Sequence, residues 1–371
     1  MRLRIRPDPD PVAVLLATLR VAGARIEKRA LREAWSNSDR RGLAELIDFE
    51  ECALWLALRL RQIGAEETLA SGLGVTVTQL ARDIAARNFL VDAETESMLG
   101  RLAALDIPCI LLKGAARRAL AHQLPFADAR ETFDLDLLVP ADAAPGLWED
   151  LWRHGYALLH PYRKPRPEDH RLPGLVGPTG VTALIHTSVA PGVPADLTWK
   201  RLHATATRVQ RFGVETLVPA TTELLWDGMM HAVRSGARGL RLHQLLAATC
   251  IVAQGDAGDD DVREVRRRIA HATGSAAPYA ALAGAWLDAA TWLGGGEDGE
   301  PPALLRRALH WRLALIRRLP VERRVLGACA DEASRLEFDL PPARGMTRGL
   351  RPLGAVLVRN AYRCWRLANT A

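Results

Sequence analysis

LLKGAARRALAHQLPFADARETFDLDLLVP, residues 111–140, places two aspartates, Asp134 and Asp136, inside the otherwise apolar run from Phe133 to Val139. A strand that only has to fold gains nothing from two carboxylates on one face, because burying an unpaired carboxylate costs several kcal/mol. Side chains alternate along a strand, so residues two apart share a face. Leu135, Leu137 and Val139 can therefore enter a core while both carboxylates project from the other side. Two adjacent carboxylates repel unless a cation lies between them, and hard oxygen donors at this spacing suit Mg²⁺ or Mn²⁺. A magnesium ion held this way usually binds substrate phosphates as well, which points to phosphoryl or nucleotidyl transfer from an NTP.

Upstream, Ile107 to Leu112 reads as a short buried strand that breaks at Lys113-Gly114 into a helix from Ala115 to His122. Glycine at such a turn lets the backbone approach a ligand, and the helix N-terminus offers free N–H groups and partial positive charge. Lys113 adds a full charge there, and Arg130, four residues before Asp134, can reach the same phosphates bidentately. Lysine is rare in this arginine-rich chain, present only at Lys28, Lys113, Lys164 and Lys200. A lysine kept against that background marks a place where a compact ammonium suits better than a planar fork. Lys-Gly alone is a weak signal and Asp-x-Asp a moderate one. The ordered set strand, Lys-Gly, helix, Arg-x3-Asp-x-Asp-Leu is considerably more specific.

The rest of the chain bounds the reading. Its 371 residues suggest two or three domains, and 49% hydrophobic with 25% charged residues is ordinary for a globular protein with a sizeable core. A net charge of +6 is compatible with nucleic acid or phosphate-bearing partners as well as with a solvated arginine-rich surface. No helix-turn-helix, zinc-finger or RNA-recognition signature accompanies it, so nucleic acid is not expected as a partner. No apolar run approaches the roughly 18 residues a membrane span needs. The opening Met1 to Arg6, followed by alternating Pro and Asp, lacks an uninterrupted signal-peptide core, so a cytoplasmic protein is expected. Cys52, Cys109, Cys250, Cys329 and Cys364 lack paired spacing and read as reduced structural thiols.

Apolar residues at three-and-four spacing predict helices over Val12 to Ala22, Glu51 to Arg61, Val77 to Arg87 and Ala93 to Leu105, with breaks at residues 36–39 and 71–72. Thr132 to Val139 reads as a strand closed by Pro140, Ala144 to His154 as a helix and Val181 to Val189 as a strand. Between them the proline-rich residues 161–178 show no regular pattern and predict a loop bordering a binding site. The middle third thus alternates strand and helix, an α/β or α+β pattern. From Thr221 the chain is helical again, with an apolar face at Leu224, Leu225, Met229 and Val233, and glycine-rich tips at 255–258 and 294–299. The apolar stripe over 350–367 predicts a helix docked on its neighbours, with an anionic membrane surface as the alternative.

At Leu111-Leu112-Lys113-Gly114-Ala115, Arg130 and Asp134 to Val139 the sequence resembles the uncharacterised bacterial nucleotidyltransferase-like proteins of the DNA polymerase β superfold. Ala86-Arg87-Asn88 with the helix running on to Ile107, Val218-Pro219 and the helix holding His231 resemble them too, so the likeness covers about residues 80–250. The resemblance implies a small mixed sheet, metal held by Asp134 and Asp136, and nucleotide phosphates held at the Lys113-Gly114 turn. Some members accompany peptide natural-product gene clusters, which admits a peptide acceptor. The superfold generally supplies a third carboxylate from a later strand, where family members often show acidic-x-His-aromatic. The matching stretch here is Leu184-Ile185-His186-Thr187, which keeps the histidine and has Leu184 at the acidic position. Asp196 and Asp169 are possible substitutes, and His186 can serve as base or as a hydrogen-bonded core histidine.

The expectation is an α+β fold: a helical region over 1–95, a nucleotidyltransferase-like core over 96–220 and a helical region over 221–371. The expected activity is Mg²⁺- or Mn²⁺-dependent transfer of a nucleoside monophosphate from NTP to a hydroxyl or phosphate on a small molecule or peptide. Asp134, Asp136 and His186 would be catalytic, and Lys113, Gly114 and Arg130 would bind phosphate. The rivals are a non-catalytic nucleotide- or peptide-binding protein with a degenerate site, and a transferase using a nucleotide-activated donor.

Overall fold

The computed structural model describes residues 10–21, 28–37, 40–70, 72–121, 123–124, 126–159, 169–189, 195–234, 241–254, 256–271, 280–296 and 299–318. The chain forms two compact units, residues 1–308 and 309–371, and the sheet lies within the first. The expected tail helix over 350–367 and the prolines at 191 and 194 lie outside the described residues.

Five helices come first: α1 (Pro11–Leu19), α2 (Lys28–Asn37), α3 (Arg40–Phe49), α4 (Ala53–Gln62) and α5 (Gly72–Ala104). α1 starts where its chemistry dictates, with Pro11 in the first turn and the Asp10 carboxylate accepting from the Val12 amide at 3.1 Å. The stretch expected as two helices, 77–87 and 93–105, is instead one helix of 33 residues. Asn88-Phe89-Leu90-Val91 holds neither glycine nor proline, and Asn88 spends its side chain on tertiary bonds instead of unwinding its own turn.

Seven strands follow: β1 (Ile110–Leu111), β2 (Asp134–Leu138), β3 (Ala157–Leu158), β4 (Leu175–Val176), β5 (Thr182–His186), β6 (Thr207–Arg211) and β7 (Val214–Val218). They form one mixed sheet in the order β3-β4-β5-β2-β1-β7-β6. β2 runs antiparallel to β1 and parallel to β5, with Asp134 opposite Thr182, Asp136 opposite Leu184 and Leu138 opposite His186. α6 (Lys113–Ala119) follows β1, α7 (Ala144–Arg153) follows β2 and α8 (Ala195–Thr205) follows β5. α9 (Thr221–Arg234), α10 (Leu242–Val252), α11 (Asp256–Ala270) and α12 (Ala280–Gly294) pack as a helical layer, and α13 spans Ala303–Arg318. The fold is α+β with helical flanks. Among the described residues no helix is long and apolar enough to cross a membrane.

Three details depart from the sequence reading. Residues 169–178, expected as irregular loop, are drawn into the sheet through β4 and through a bridge from Arg171 to His186, while 160–168 lie outside the described residues. The β6–β7 hairpin was not anticipated. Its turn, Phe212-Gly213, has positive φ at both residues, the handedness that a tight two-residue loop requires. Finally, β2 is buried on both sides. Leu135, Leu137, Leu138 and Val139 are fully covered, and Asp136 is only 1% exposed.

The entry to β2 is fixed from α5. The buried Asn88 amide donates to the carbonyls of Asp128 (2.9 Å) and Arg130 (3.0 Å) and accepts from the Thr132 amide (2.9 Å). Two turns further on, the buried Glu94 carboxylate accepts from the Tyr156 hydroxyl and from Thr179 Oγ1, tying down the β3–β4–β5 edge. Asn88→Ala removes all three bonds and strands two carbonyls and one amide. It is expected to destabilise the protein by roughly 2–4 kcal/mol in urea unfolding. Wild-type stability in that variant would show that the β2 entry is held by other contacts.

Candidate active site

The carboxylate of Asp136 is the centre of the site. Its Oδ1 accepts from Lys113 Nζ at 2.7 Å and meets His186 Nε2 at 2.7 Å. Lys113 comes from the end of β1, Asp136 from the middle of β2 and His186 from the end of β5, so the two strand pairings converge on one oxygen. Burial alone would raise the Asp136 carboxyl, but the Lys113 charge and the His186 hydrogen bond hold it well below the usual carboxylate range. Burial would likewise lower Lys113, but the charges of Asp136 and Asp134 push it up. His186 is lowered, chiefly by burial, and is neutral at neutral pH. Because ionised Asp136 can only accept, Nε2 carries the proton, and His186 Nδ1 is left buried without a partner. The histidine is buried and hydrogen-bonded to Asp136.

Asp134 shares the face but not the pairing. Burial and the neighbouring Asp136 raise its carboxyl to about 6, against the pull of Lys113, Arg130 and Arg171. Arg130 Nε donates to the His243 carbonyl at the start of α10 at 3.1 Å, which anchors the guanidinium beside the carboxylate pair. Lys113 itself has φ +46°, a left-handed conformation that costs a non-glycine residue on the order of 1 kcal/mol. The strain sits where the ammonium must turn back onto β2.

Gly114 lies where the chain passes close to the start of β2. A Cβ there would lie 2.5 Å from Thr132 Cγ2, so the glycine admits the residue that leads into β2. The helix also begins two residues earlier than expected, at Lys113, and is only seven residues long. Leu184, opposite Asp136 on β5, is 7% exposed and packs against Gly174. Asp196 is exposed at the start of α8. Neither it nor Asp169 is among the charges that act most strongly on Asp134 and Asp136.

Sequence reasoning missed three residues at the site. Arg117 lies one turn after Lys113 on α6 and is buried near Arg130, Asp227 and Asp136. The i, i+4 spacing from Lys113 was the available signal. Asp227, in the middle of α9, adds a third negative charge acting on Lys113. Arg171 reaches Asp134 and His186 only because the residues after 169 join the sheet.

Among the described residues no cluster of three or more metal-ligating side chains is assembled. The pair that is present still fits a divalent cation of the magnesium type. Asp134 and Asp136 offer hard oxygens on one strand face, and their mutual repulsion is what a cation would relieve. Magnesium commonly keeps waters and substrate phosphates, so two protein carboxylates suffice to hold it.

A family model described as an uncharacterised nucleotidyltransferase matches residues 36–287, well over half of the chain, and includes every site residue named above. The chain belongs to this family, and membership implies a nucleotide partner. No curated protein matches the chain.

The charges make opposite stability predictions for the two aspartates. A carboxyl raised from 3.8 to about 6 binds its proton more tightly in the fold than in the unfolded chain. Stability is then lost as pH rises from about 4 to about 6, and stays lost above. Asp134→Asn, in chelating buffer, is expected to gain on the order of 1–3 kcal/mol at about pH 7.5 and nothing near pH 4. Asp136 is lowered, so its contribution is present at neutral pH and fades on acidification. Asp136→Asn is expected to lower the neutral-pH melting temperature, because it leaves Lys113 without its partner. Equal melting curves for both variants would contradict the assigned asymmetry.

Proposed function

We propose that the protein is a Mg²⁺- or Mn²⁺-dependent nucleotidyltransferase moving a nucleoside monophosphate from NTP to a hydroxyl or phosphate on a small molecule or peptide. The observation that supports this reading is the carboxylate pair of β2 with the Lys113 ammonium bonded to one of its oxygens. Asp134 and Asp136 would hold the cation, which, when bound, neutralises and orients the triphosphate. Lys113 and Arg130 face the same space and would bind the phosphates, and His186 keeps Asp136 turned toward it. The acceptor oxygen forms a bond to the α-phosphorus as the bond to the β-phosphate oxygen breaks, and pyrophosphate leaves.

Leu184 favours a second reading. A hydroxyl acceptor needs a base, and beside Asp136 stands an alkyl side chain. Such a site binds nucleotide but transfers slowly to neutral hydroxyls, or serves a binding role alone.

Incubation with each NTP, Mg²⁺ or Mn²⁺ and paired hydroxyl and phosphate acceptors, read by mass, tests both. The expected product is acceptor plus nucleoside monophosphate, with release of pyrophosphate. Lys113→Ala should weaken NTP binding by roughly 1–3 kcal/mol. Normal NTP affinity together with a lowered melting temperature would make Lys113 structural. If the missing base limits the rate, Leu184→Asp should raise transfer to hydroxyls toward the roughly 10²–10⁴-fold that general-base assistance supplies. No gain from an already efficient wild type would place the base elsewhere.

A further inference from the structure

α10 begins without a cap of its own. Its N-cap residue is Arg241, whose side chain makes no capping bond, and a cation at a helix start opposes the helix dipole. The missing acceptors come from the corner between α3 and α4. Glu50, fully buried there, takes the Leu242 amide at 2.6 Å through Oε2. The Phe49 carbonyl accepts from Arg241 Nη2, and the same guanidinium lies over the Phe49 ring. Glu51 faces this turn with both oxygens: Oε1 is 3.6 Å from Arg241 Nη2 and Oε2 is 3.7 Å from His243 Nδ1. Three consecutive residues thus hold the start of a helix 192 positions further along the chain.

That turn matters because Arg130 hangs from it. Arg130 Nε donates to the His243 carbonyl at 3.1 Å, so the place where α10 starts decides where the guanidinium stands beside β2. Burial lowers the Arg130 guanidinium, and of the negative charges that oppose this Glu51 is foremost, ahead of Asp134. One cation is therefore shared between a carboxylate on the α3–α4 corner and another on β2.

Glu51 holds its place against the preference of its backbone. It has φ +53° immediately beyond α3, where a left-handed residue is usually glycine. The Cys52 amide reaches back to the Ile47 carbonyl at 3.2 Å and the Glu51 amide to the Asp48 carbonyl at 3.0 Å, the two bonds of a Schellman helix end. Folding of this corner alone favours glycine at 51, and the glutamate brings a charge to it.

We propose that Glu51 is a positioning residue for Arg130: acting through the first turn of α10, it sets where the guanidinium is offered to a bound nucleotide. The consequence for binding rests on the proposed nucleotide site, whereas the positioning is a property of the free protein.

Two measurements on the full chain test it. The first needs no ligand. The Arg130 Nε–H signal in an arginine-labelled NMR spectrum, assigned by its loss in Arg130→Gln, should be protected from solvent exchange in the wild type. In Glu51→Gln that protection should fall on the order of 10-fold. The second is a double-mutant cycle of Glu51→Gln and Arg130→Gln, read calorimetrically as affinity for each Mg²⁺–NTP. Glu51→Gln alone should weaken binding roughly 3- to 30-fold and cost nothing further once Arg130 is replaced, which a merely structural lesion would not do. Glu51→Asp should keep part of the affinity. Glu51→Gly should melt above Glu51→Gln, because it relieves the backbone, yet bind nucleotide no better. Unchanged protection of the Arg130 Nε–H in Glu51→Gln overturns the assignment, as does wild-type NTP affinity or a loss additive with that of Arg130→Gln. Loss of protection in a protein that binds no NTP would sink the proposed nucleotide site and leave the positioning role standing.

Discussion

The bond between Lys113 and Asp136 is the constraint on which the rest of the site depends. Asp136 is buried, and a buried carboxylate without its cation costs several kcal/mol, so the fold must deliver an ammonium to it. That delivery requires β1 to end at residue 111, the chain to turn through the strained Lys113, and Gly114 to pass close against Thr132. His186 adds a second condition, because its Nε2 meets the same oxygen only when β5 pairs with β2 in the observed register. A slip of one residue would flip Asp136 to the opposite face. Register and site chemistry are therefore one requirement. A buried ion pair is poor evidence for stability, but here it selects a single arrangement of three strands.

Around that centre, one helix sets both approaches. Asn88 and Glu94 lie six residues apart on α5, and each fastens backbone or side chains on a different side of β2. Asn88 holds the segment that carries Arg130, and Glu94 holds the edge that leads into β5. Because α5 is continuous, the two anchors keep a fixed separation, and the Arg130-bearing and His186-bearing sides of the site cannot drift independently. Gly177 completes this arrangement, since a Cβ there would overlap the Glu94 carboxylate. Loops placed by side chains of a rigid helix can hold a charged site at ångström precision.

Much of this was legible in the sequence because it was written in local patterns. Period-two alternation with two aspartates identified β2 and its polar face, and the strand–Lys-Gly–helix order placed Lys113 beside it. Three-and-four spacing found α1, α4, α7 and α9. What escaped depended on partners distant along the chain. The structural role of Asn88 was not legible because its bonds to residues 128–132 lie about forty positions away. β4 is two residues long and exists only because β5 offers an edge. The burial of Asp136 could not be read from alternation, which says which residues share a face but not whether a second layer covers it. Arg117 and Arg118 are indistinguishable in sequence. Only the fold shows that Asp92 and Asp128 stand as ion-pair partners to Arg118.

The site holds charges of both signs close together. On β2, Asp134 and Asp136 repel each other and raise Asp134, a debt of negative charge that a cation would settle. One helical turn after Lys113, burial lowers the Arg117 guanidinium and the charge of Arg130 adds to the effect. A ligand of one sign would relieve one pole only. In the proposed function a cation–polyphosphate complex would bring charges of both signs to the site. Charged groups fixed in advance of the ligand need no reorganisation when it binds, and their strain in the free protein is the ordinary cost of such preorganisation. The same reasoning explains why the neutral His186 touches Asp136: it fixes the carboxylate's direction without adding a third cation that would cancel the negative pole.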